Sequence, residues 1–100
     1  MALLREYKEI AYQWGIWKTE ESPEELLALL PDPERYEQQL TLFSSPHRKL
    51  EWLSVRVLLY QLLGEEKTIE YAPSGKPHLA DSSYFISISH TRGYVAVILS

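Results

Sequence analysis

The sequence predicts an α+β fold in which three helices pack on a small, mostly antiparallel sheet. Three helix starts occur one after another in the first half of the chain, at Ser22-Pro23, Asp32-Pro33 and Ser45-Pro46. Alternating side chains predict strands before and after these helices, and Arg92-Gly93 predicts a tight hairpin between the last two strands. Helices between two groups of strands therefore define the fold class.

The first two predicted helices are short. Ser22 can cap the first helix, Pro23 suits its first position, and Pro31 ends it. Its apolar residues are Leu26, Leu27, Leu29 and Leu30. Asp32-Pro33-Glu34 repeats the same start signal, so a second, more polar helix is predicted on the surface from Glu34 to about Leu42.

The third predicted helix is the longest, from Ser45-Pro46 to Gly64, and supplies the main core. Its apolar stripe consists of Leu50, Leu53, Val57, Leu58 and Leu62. A second column, spaced four residues apart, consists of Arg48, Trp52 and Arg56. These arginines either lie over Trp52 and pair with Glu51 or Glu37, or they serve a ligand site.

The strands are predicted from alternation. Tyr7 to Lys18 forms one strand region, and because both of its faces carry a tryptophan we expect burial on both sides. Thr68 to Tyr71 is a short strand, followed by a turn from Ala72 to Pro77. Tyr84 to Ser89 is the next strand. Tyr94 to Leu99 is almost entirely apolar, so it is predicted to be buried on both faces.

Composition limits the classes of function. The 100 residues fit a single domain spanning 1–100, and the absence of cysteine excludes disulfides and thiol nucleophiles. Arg5 and Glu6 interrupt the apolar start, so no signal peptide is predicted and we expect a cytoplasmic protein. The net charge of -4 lacks the basic surface of a nucleic-acid binder, and the longest apolar run is too short to cross a membrane.

Two short stretches carry candidate ligand chemistry. Gly75-Lys76-Pro77 combines a stiff backbone with one cation, which suits a nucleotide phosphate, although a plain turn is the favoured explanation of this stretch when it is taken alone. Ser89-His90-Thr91 ends a strand, where ligand contacts are common, although a structural histidine also fits. Ser89 and His90 point to opposite faces, so they are no nucleophile–base pair. The three histidines have no metal-ligand spacing, so no metal site is predicted.

These stretches together resemble the N-terminal lobe of the two-lobed 4′-phosphopantetheinyl transferases of the surfactin-synthetase-activating type. Arg48 to Arg56 resembles that family's helical Arg-x-x-Glu-x-Leu-x-x-Arg motif, and Gly75-Lys76-Pro77 resembles its Gly-Lys-Pro turn. Phe85 to Gly93 resembles its strand ending in Ser-His-Ser/Thr, and Trp14 to Lys18 its opening strand. The motifs occur in the family's order over nearly the whole chain.

The resemblance implies a holo-[acyl-carrier-protein] synthase type of transferase, which moves phosphopantetheine from coenzyme A to a serine of an acyl or peptidyl carrier protein. The residues it places at the 3′-phosphate or adenine end of coenzyme A are Arg56 and Arg48. Those it places along the nucleotide are Gly75, Lys76 and Pro77. Those it places on the phosphates are Ser89, His90 and Thr91.

The resemblance also implies a division of labour between two lobes. The family's Gly-Ile-Asp strand with the magnesium ligands and its Trp-x-x-Lys-Glu helix do not occur in these 100 residues. We therefore expect the N-terminal lobe alone, with the C-terminal lobe absent, no catalytic residue, no metal ligand and no transfer activity. Asp81, the only acidic residue near the motifs, is not expected to replace the missing carboxylates.

Two other interpretations remain open. The chain is then either a stand-alone, non-catalytic module that binds coenzyme A or another nucleotide, or an interaction module that has lost its ligand. A lobe without its pseudo-symmetric partner exposes the face that this partner covers. Because the strand from Tyr94 to Leu99 makes that face apolar, we expect the isolated chain to self-associate.

Overall fold

The computed structural model describes residues 3–8 and 12–100. In chain order its elements are β1 (Leu3–Lys8), β2 (Gln13–Lys18), α1 (Pro23–Ala28), α2 (Glu34–Leu40), α3 (Pro46–Leu63), β3 (Ile69–Tyr71), β4 (Pro77–Leu79), β5 (Ile86–Thr91) and β6 (Tyr94–Leu99). The prediction of an α+β fold with three helices and a small antiparallel sheet is confirmed. Of the described helices, none combines the length and the apolar character that crossing a membrane requires.

The main sheet has four antiparallel strands in the order β1-β2-β6-β5. β3 and β4 form a separate antiparallel hairpin, whose second strand approaches β5. Helix α3 crosses one face of the sheet and contacts β6, β2 and β1, while α1 packs on α3. The core lies between α3 and this face of the sheet.

Helix α3 begins and ends where the sequence predicts. The Ser45 hydroxyl accepts a hydrogen bond from the backbone N–H of Arg48 at 3.4 Å, and Gly64 ends the helix with a φ of +72°, in the left-handed region. Every residue from Leu53 to Leu59 is buried. The middle of α3 is therefore enclosed on more sides than its predicted apolar stripe requires, which also buries Arg56.

Helices α1 and α2 differ in how they begin. Ser22 and Glu25 form the reciprocal capping box of α1, and the hydrogen bonds from Ser22 lower the pKa of Glu25. The predicted cap of α2 by Asp32 is wrong, because Pro33 holds that position without a side-chain hydrogen bond. The backbone N–H of Asp32 instead donates to Glu66 Oε1 at 2.8 Å, which ties the start of α2 to the segment after α3.

Three strand predictions need correction. The single strand predicted from Tyr7 to Lys18 is two antiparallel strands, β1 and β2, and part of their connection lies outside the described residues. Residues 9–12 contain no Gly, Pro, Asn or Asp, so no turn signal marks the reversal. In β2 only the face with Trp17 is fully buried, whereas Trp14 and Ile16 are half-buried. The prediction of burial on both sides of this strand is wrong.

The last strand is also buried on one face only. In β6 the buried residues alternate with residues that are partly or largely exposed, and Tyr94 and Ile98 are 38% and 41% exposed. The prediction that β6 is buried on both faces is therefore wrong. Cross-strand pairing places Trp14 opposite Ile98 and Ile16 opposite Ala96. We call this outer apolar surface the open sheet face, and define it as Trp14, Ile16, Tyr94, Ala96 and Ile98.

Candidate functional site

A cavity of about 570 Å³ opens between α3, the β3–β4 hairpin and β5. We call it the Arg56 cavity, and its lining residues are Phe43, Arg48, Glu51, Trp52, Val55, Arg56, Tyr71, Gly75, Pro77, Ile88 and His90. Five residues that the sequence predicted for the coenzyme A site lie in this lining, namely Arg48, Arg56, Gly75, Pro77 and His90. They come from three segments that are well separated in the chain.

Arg56 is the buried cation of this cavity. It is only 6% exposed, and its guanidinium carbon lies 4.0 Å from the centre of the Trp52 ring. Both terminal nitrogens donate to the hydroxyl of Tyr71 at 3.3 Å, and one also donates to the Trp52 carbonyl at 3.4 Å. Burial lowers the pKa of Arg56 from its usual value, although Tyr71 opposes the shift. Any anion that enters the cavity would stabilise the charged form of Arg56.

Arg56 has no carboxylate partner among the described residues. The interpretation in which the arginines lie over Trp52 is confirmed for Arg56, but pairing with Glu51 or Glu37 is not what the structure shows. Glu51 instead contacts His90 and His47. Arg48 lies at the exposed rim, in the first turn of α3, and its guanidinium has no ion-pair partner in the described part of the chain.

His90 occupies the β5 side of the cavity. Its Nδ1 contacts one carboxylate oxygen of Glu51, whose other oxygen lies 3.3 Å from His47 Nε2. Since an ionised carboxylate only accepts hydrogen bonds, the Nδ1 of His90 is the donor of this pair. The other ring nitrogen, Nε2, remains available for a ligand. His90 is therefore oriented by a contact between β5 and α3 that no sequence motif predicted.

The Gly-Lys-Pro segment forms the tip of the β3–β4 hairpin and the start of β4. Gly75 has a φ of +88°, a conformation that favours glycine, and its N–H donates to Ala72 at 2.7 Å. The Ala72 N–H donates to the Lys76 carbonyl at 2.9 Å and closes the turn. Gly75 and Pro77 are held at the Arg56 cavity by this turn. The predicted turn from Ala72 to Pro77 thus ends one residue early, because Pro77 already belongs to β4.

Lys76 does not join His90. It lines a second cavity of about 600 Å³ on the other side of the hairpin, which we call the Lys76 cavity. His78 lies there too, while Pro77 contributes to both cavities. Its other lining residues are Ala72, Leu79, Ser82, Ser83, Tyr84, Phe85, Ile86, Ser87 and Ser100. The structure therefore does not bring Lys76 and His90 together in one cavity.

Ser89 and Thr91 also lie apart from His90. Strand alternation places them on the opposite face of β5, where Ser89 pairs with Ala96 and Thr91 with Tyr94. Neither residue lines the Arg56 cavity. Of the three predicted phosphate contacts in this stretch, only His90 faces α3.

Three features of the site were not predicted from the sequence, namely Tyr71, Phe43 and the contact of Glu51 with the two histidines. Tyr71 hydrogen-bonds Arg56, and Phe43 lies with its ring centre 5.8 Å from that of Trp52. The four-residue spacing of His47 and Glu51 on one helix was the available signal for the contact between these two residues. Asp81, which was not expected to replace the family's carboxylates, accepts a hydrogen bond from Lys67 Nζ at 2.6 Å and another from the backbone N–H of Ser83 at 3.0 Å.

The described residues include no group of three His, Cys, Asp or Glu side chains that could hold a metal ion. The magnesium that the resemblance implies therefore has no fitting donor set in the part of the chain that the structure describes, and we assign it no step.

No protein-family model matches the chain, and no curated protein matches it either. What the site offers chemically is a place for an anion beside aromatic rings.

Proposed function

We propose that the chain is the N-terminal lobe of a 4′-phosphopantetheinyl transferase and that the Arg56 cavity holds phosphates of coenzyme A. The observation that carries this proposal is Arg56, a buried cation with no carboxylate partner among the described residues, facing a cavity. A buried charge without a counter-ion is costly. An anionic ligand at this position removes that cost.

The surrounding charges support an anion. Arg48 and Arg56 give the cavity two permanent positive charges against one carboxylate, Glu51, in a chain whose net charge is -4. His90 adds a third positive charge when it is protonated. Each charge-assisted hydrogen bond contributes roughly 1.5–3 kcal/mol, so three such donors are enough to retain a polyanion after its desolvation.

The aromatic wall of the cavity supports a nucleotide rather than a bare inorganic anion. Phe43, Trp52 and Tyr71 line the cavity beside the cations. Pockets of this size with apolar walls and a few placed polar groups bind small organic ligands. A ligand with an aromatic base and phosphates matches both components, and coenzyme A has both.

In this proposal the lobe binds and does not transfer. The nucleotide and its phosphates are held here, while the magnesium, the base and part of the carrier-protein surface belong to a C-terminal lobe. We expect the full-length parent protein, with magnesium, coenzyme A and an apo carrier protein, to add phosphopantetheine to a carrier serine. We expect the 100-residue chain alone to leave the carrier unmodified. Mass spectrometry of the carrier distinguishes the two.

Calorimetric titration tests ligand binding by the chain. Coenzyme A is expected to bind with an affinity that falls as salt rises, because exposed charges are screened. Pantetheine, which lacks both the adenosine and the phosphates, is expected not to bind. His90→Ala is expected to weaken coenzyme A binding roughly tenfold, the equivalent of one charge-assisted hydrogen bond. Lys76→Ala is the matched control, because Lys76 lines the other cavity. Equal binding of pantetheine and coenzyme A contradicts the proposal.

The open sheet face supports a second proposal, that the isolated chain self-associates. Its tryptophan, tyrosine and isoleucines lie side by side across β2 and β6, and an apolar surface of this kind marks an interface. Ile98→Glu is expected to give a monomer in sedimentation experiments. Leu42→Glu introduces the same charge at an 83% exposed residue outside the sheet and is expected to leave association unchanged. A monomeric unaltered chain at high concentration contradicts this proposal.

A further inference from the structure

Glu51 joins two histidines through one carboxylate group. Its Oε1 lies 3.3 Å from Nε2 of His47, one turn earlier on α3, and its Oε2 contacts Nδ1 of His90 on β5. The Glu51 side chain is 20% exposed, whereas those of His47 and His90 are 65% and 59% exposed. Of these three residues, Glu51 and His90 line the Arg56 cavity and His47 does not. The contact therefore links a partly buried acid to the ring that faces the ligand position.

The contact determines which nitrogen of His90 carries the proton. An ionised carboxylate has no hydrogen to donate, so the neutral ring keeps its proton on Nδ1 and presents an unprotonated Nε2. In that state Nε2 is an acceptor and does not bind an anion. It becomes a donor only when the ring takes up a second proton.

We propose that Glu51 is the positioning residue for His90, holding Nδ1–H and stabilising the proton that Nε2 takes up when a phosphate binds. This inference rests on the proposed function of the Arg56 cavity. The proton comes from solvent and ends on Nε2, so binding of the anion is accompanied by proton uptake, and no covalent bond changes. Partners that orient a histidine in this way fix both its tautomer and its direction.

The other charged groups around His90 are cations, so a protonated His90 needs the Glu51 carboxylate to offset them. Arg48 and Arg56 face the same cavity from α3, and Tyr71 faces it from β3. On the hairpin after β5, Arg92 adds another cation close in sequence. Positive charges disfavour a protonated imidazole. Glu51 is the acidic residue among the cavity's lining residues, so it is the group that offsets them.

The direction in which Glu51→Gln changes the affinity for coenzyme A distinguishes this positioning role from simple repulsion of the anion. If Glu51 only repels the anion, Glu51→Gln tightens binding of coenzyme A, because a negative charge is removed. If Glu51 stabilises the cationic form that His90 adopts beside a bound phosphate, the same substitution weakens binding. The expected loss is roughly tenfold, the equivalent of one charge-assisted hydrogen bond. Glu20→Gln is the matched control, since it removes the same charge from an exposed residue that does not line the cavity.

Two measurements on the 100-residue chain test the proposal. Nitrogen-15 NMR of the imidazoles identifies the tautomer of His90 without any ligand, and we expect Nδ1–H in the unaltered chain and a weaker preference in Glu51→Gln, whose amide carries a donor as well as an acceptor. Calorimetry of coenzyme A binding in two buffers of different ionisation enthalpy measures proton uptake, which we expect to fall in Glu51→Gln and to persist in Glu20→Gln. Glu51→Asp, which retains the charge with a shorter reach, provides the comparison if Glu51→Gln does not fold.

The outcomes are distinct. An Nε2–H tautomer of His90 in the unaltered chain overturns the proposal even if coenzyme A binds. Tighter binding by Glu51→Gln overturns it too, because repulsion then dominates. If the unaltered chain does not bind coenzyme A, the proposed function fails and the binding role of Glu51 fails with it, while the tautomer still shows whether Glu51 orients His90. Weaker binding with less proton uptake supports the proposal.

Discussion

Replacing Arg56 by methionine separates a ligand-binding arginine from a structural one. Methionine retains an unbranched apolar side chain of similar reach and removes the charge. A structural arginine stabilises the free chain, whereas an arginine retained for a ligand costs stability until the ligand arrives. The two roles therefore predict different changes in the free energy of unfolding: a clear loss for a structural arginine, and a small change or a gain for an arginine retained for a ligand.

The contacts of Arg56 set the expected magnitude. The substitution loses the stacking on Trp52, about 1–2 kcal/mol, and the charge-assisted hydrogen bonds to Tyr71, about 1.5–3 kcal/mol. It also removes the desolvation penalty of a buried ion, which stabilises the fold by roughly several kcal/mol. Burial is the leading cause of the lowered pKa of Arg56, and it outweighs the opposing contributions of Tyr71 and Tyr36. We expect the free energy of unfolding to rise slightly or to change by less than about 1 kcal/mol.

Urea denaturation and calorimetry are run on the same preparations. Arg56→Met is expected to keep its urea midpoint and to lose coenzyme A binding at least tenfold. Arg35→Met is the matched control: Arg35 pairs with Glu66 at 3.3 Å, away from the cavity, so binding is expected to stay unchanged. A loss of more than about 2 kcal/mol in stability with unchanged binding would refute the assignment of Arg56 to a ligand.

Three further predictions concern the fold. Leu58→Ala, at a fully buried position of α3, is expected to lower the free energy of unfolding by about 3 kcal/mol, while Leu42→Ala, at an 83% exposed position, changes it by less than about 0.5 kcal/mol; equal effects in urea denaturation argue against the core as described. Arg92 has a φ of +43° in the β5–β6 turn, so Arg92→Asn is expected to raise the urea midpoint by the equivalent of about 0.5 kcal/mol, and a lower midpoint contradicts the turn geometry. Hydrogen bonds from Lys67 and Ser83 lower the pKa of Asp81 from 3.8 to about 2. Asp81 therefore stabilises the fold above pH 3.8, and this contribution is lost as the pH falls towards 2. The stability difference between the unaltered chain and Asp81→Asn is expected to vanish over that range, and a difference independent of pH shows that the carboxylate does not act through these bonds.

Local signals were enough to predict the helices and the final hairpin. Ser45 and Gly64 delimit α3, and Arg92-Gly93 joins β5 to β6, because capping and turn chemistry depend on neighbouring residues. The reversal between β1 and β2 could not be predicted, since no turn residue marks it. Burial of β6 on one face also depends on which face α3 covers, and that is a property of the packed molecule.

The candidate site was predictable only in part, because local motifs identify its residues but not how the packed chain arranges them. Arg48, Arg56 and His90 were predicted from motifs, and the structure brings them to one cavity. Lys76 was predicted beside His90 but lines the other cavity, because the direction of its side chain depends on how the hairpin packs, which no local motif reports. The contact between Glu51 and His90 joins residues about forty positions apart, so no local spacing reports it.

Amide NMR of the 100-residue chain, titrated with coenzyme A and separately with pantetheine, tests most directly whether the Arg56 cavity binds the nucleotide with its phosphates. We predict that coenzyme A shifts the amide signals of Arg56, Gly75 and His90 while pantetheine leaves them in place. Signals at Tyr84 and Ser87, in the Lys76 cavity, serve as the internal reference. Shifts confined to Tyr84 and Ser87, or equal shifts with pantetheine, would contradict the account.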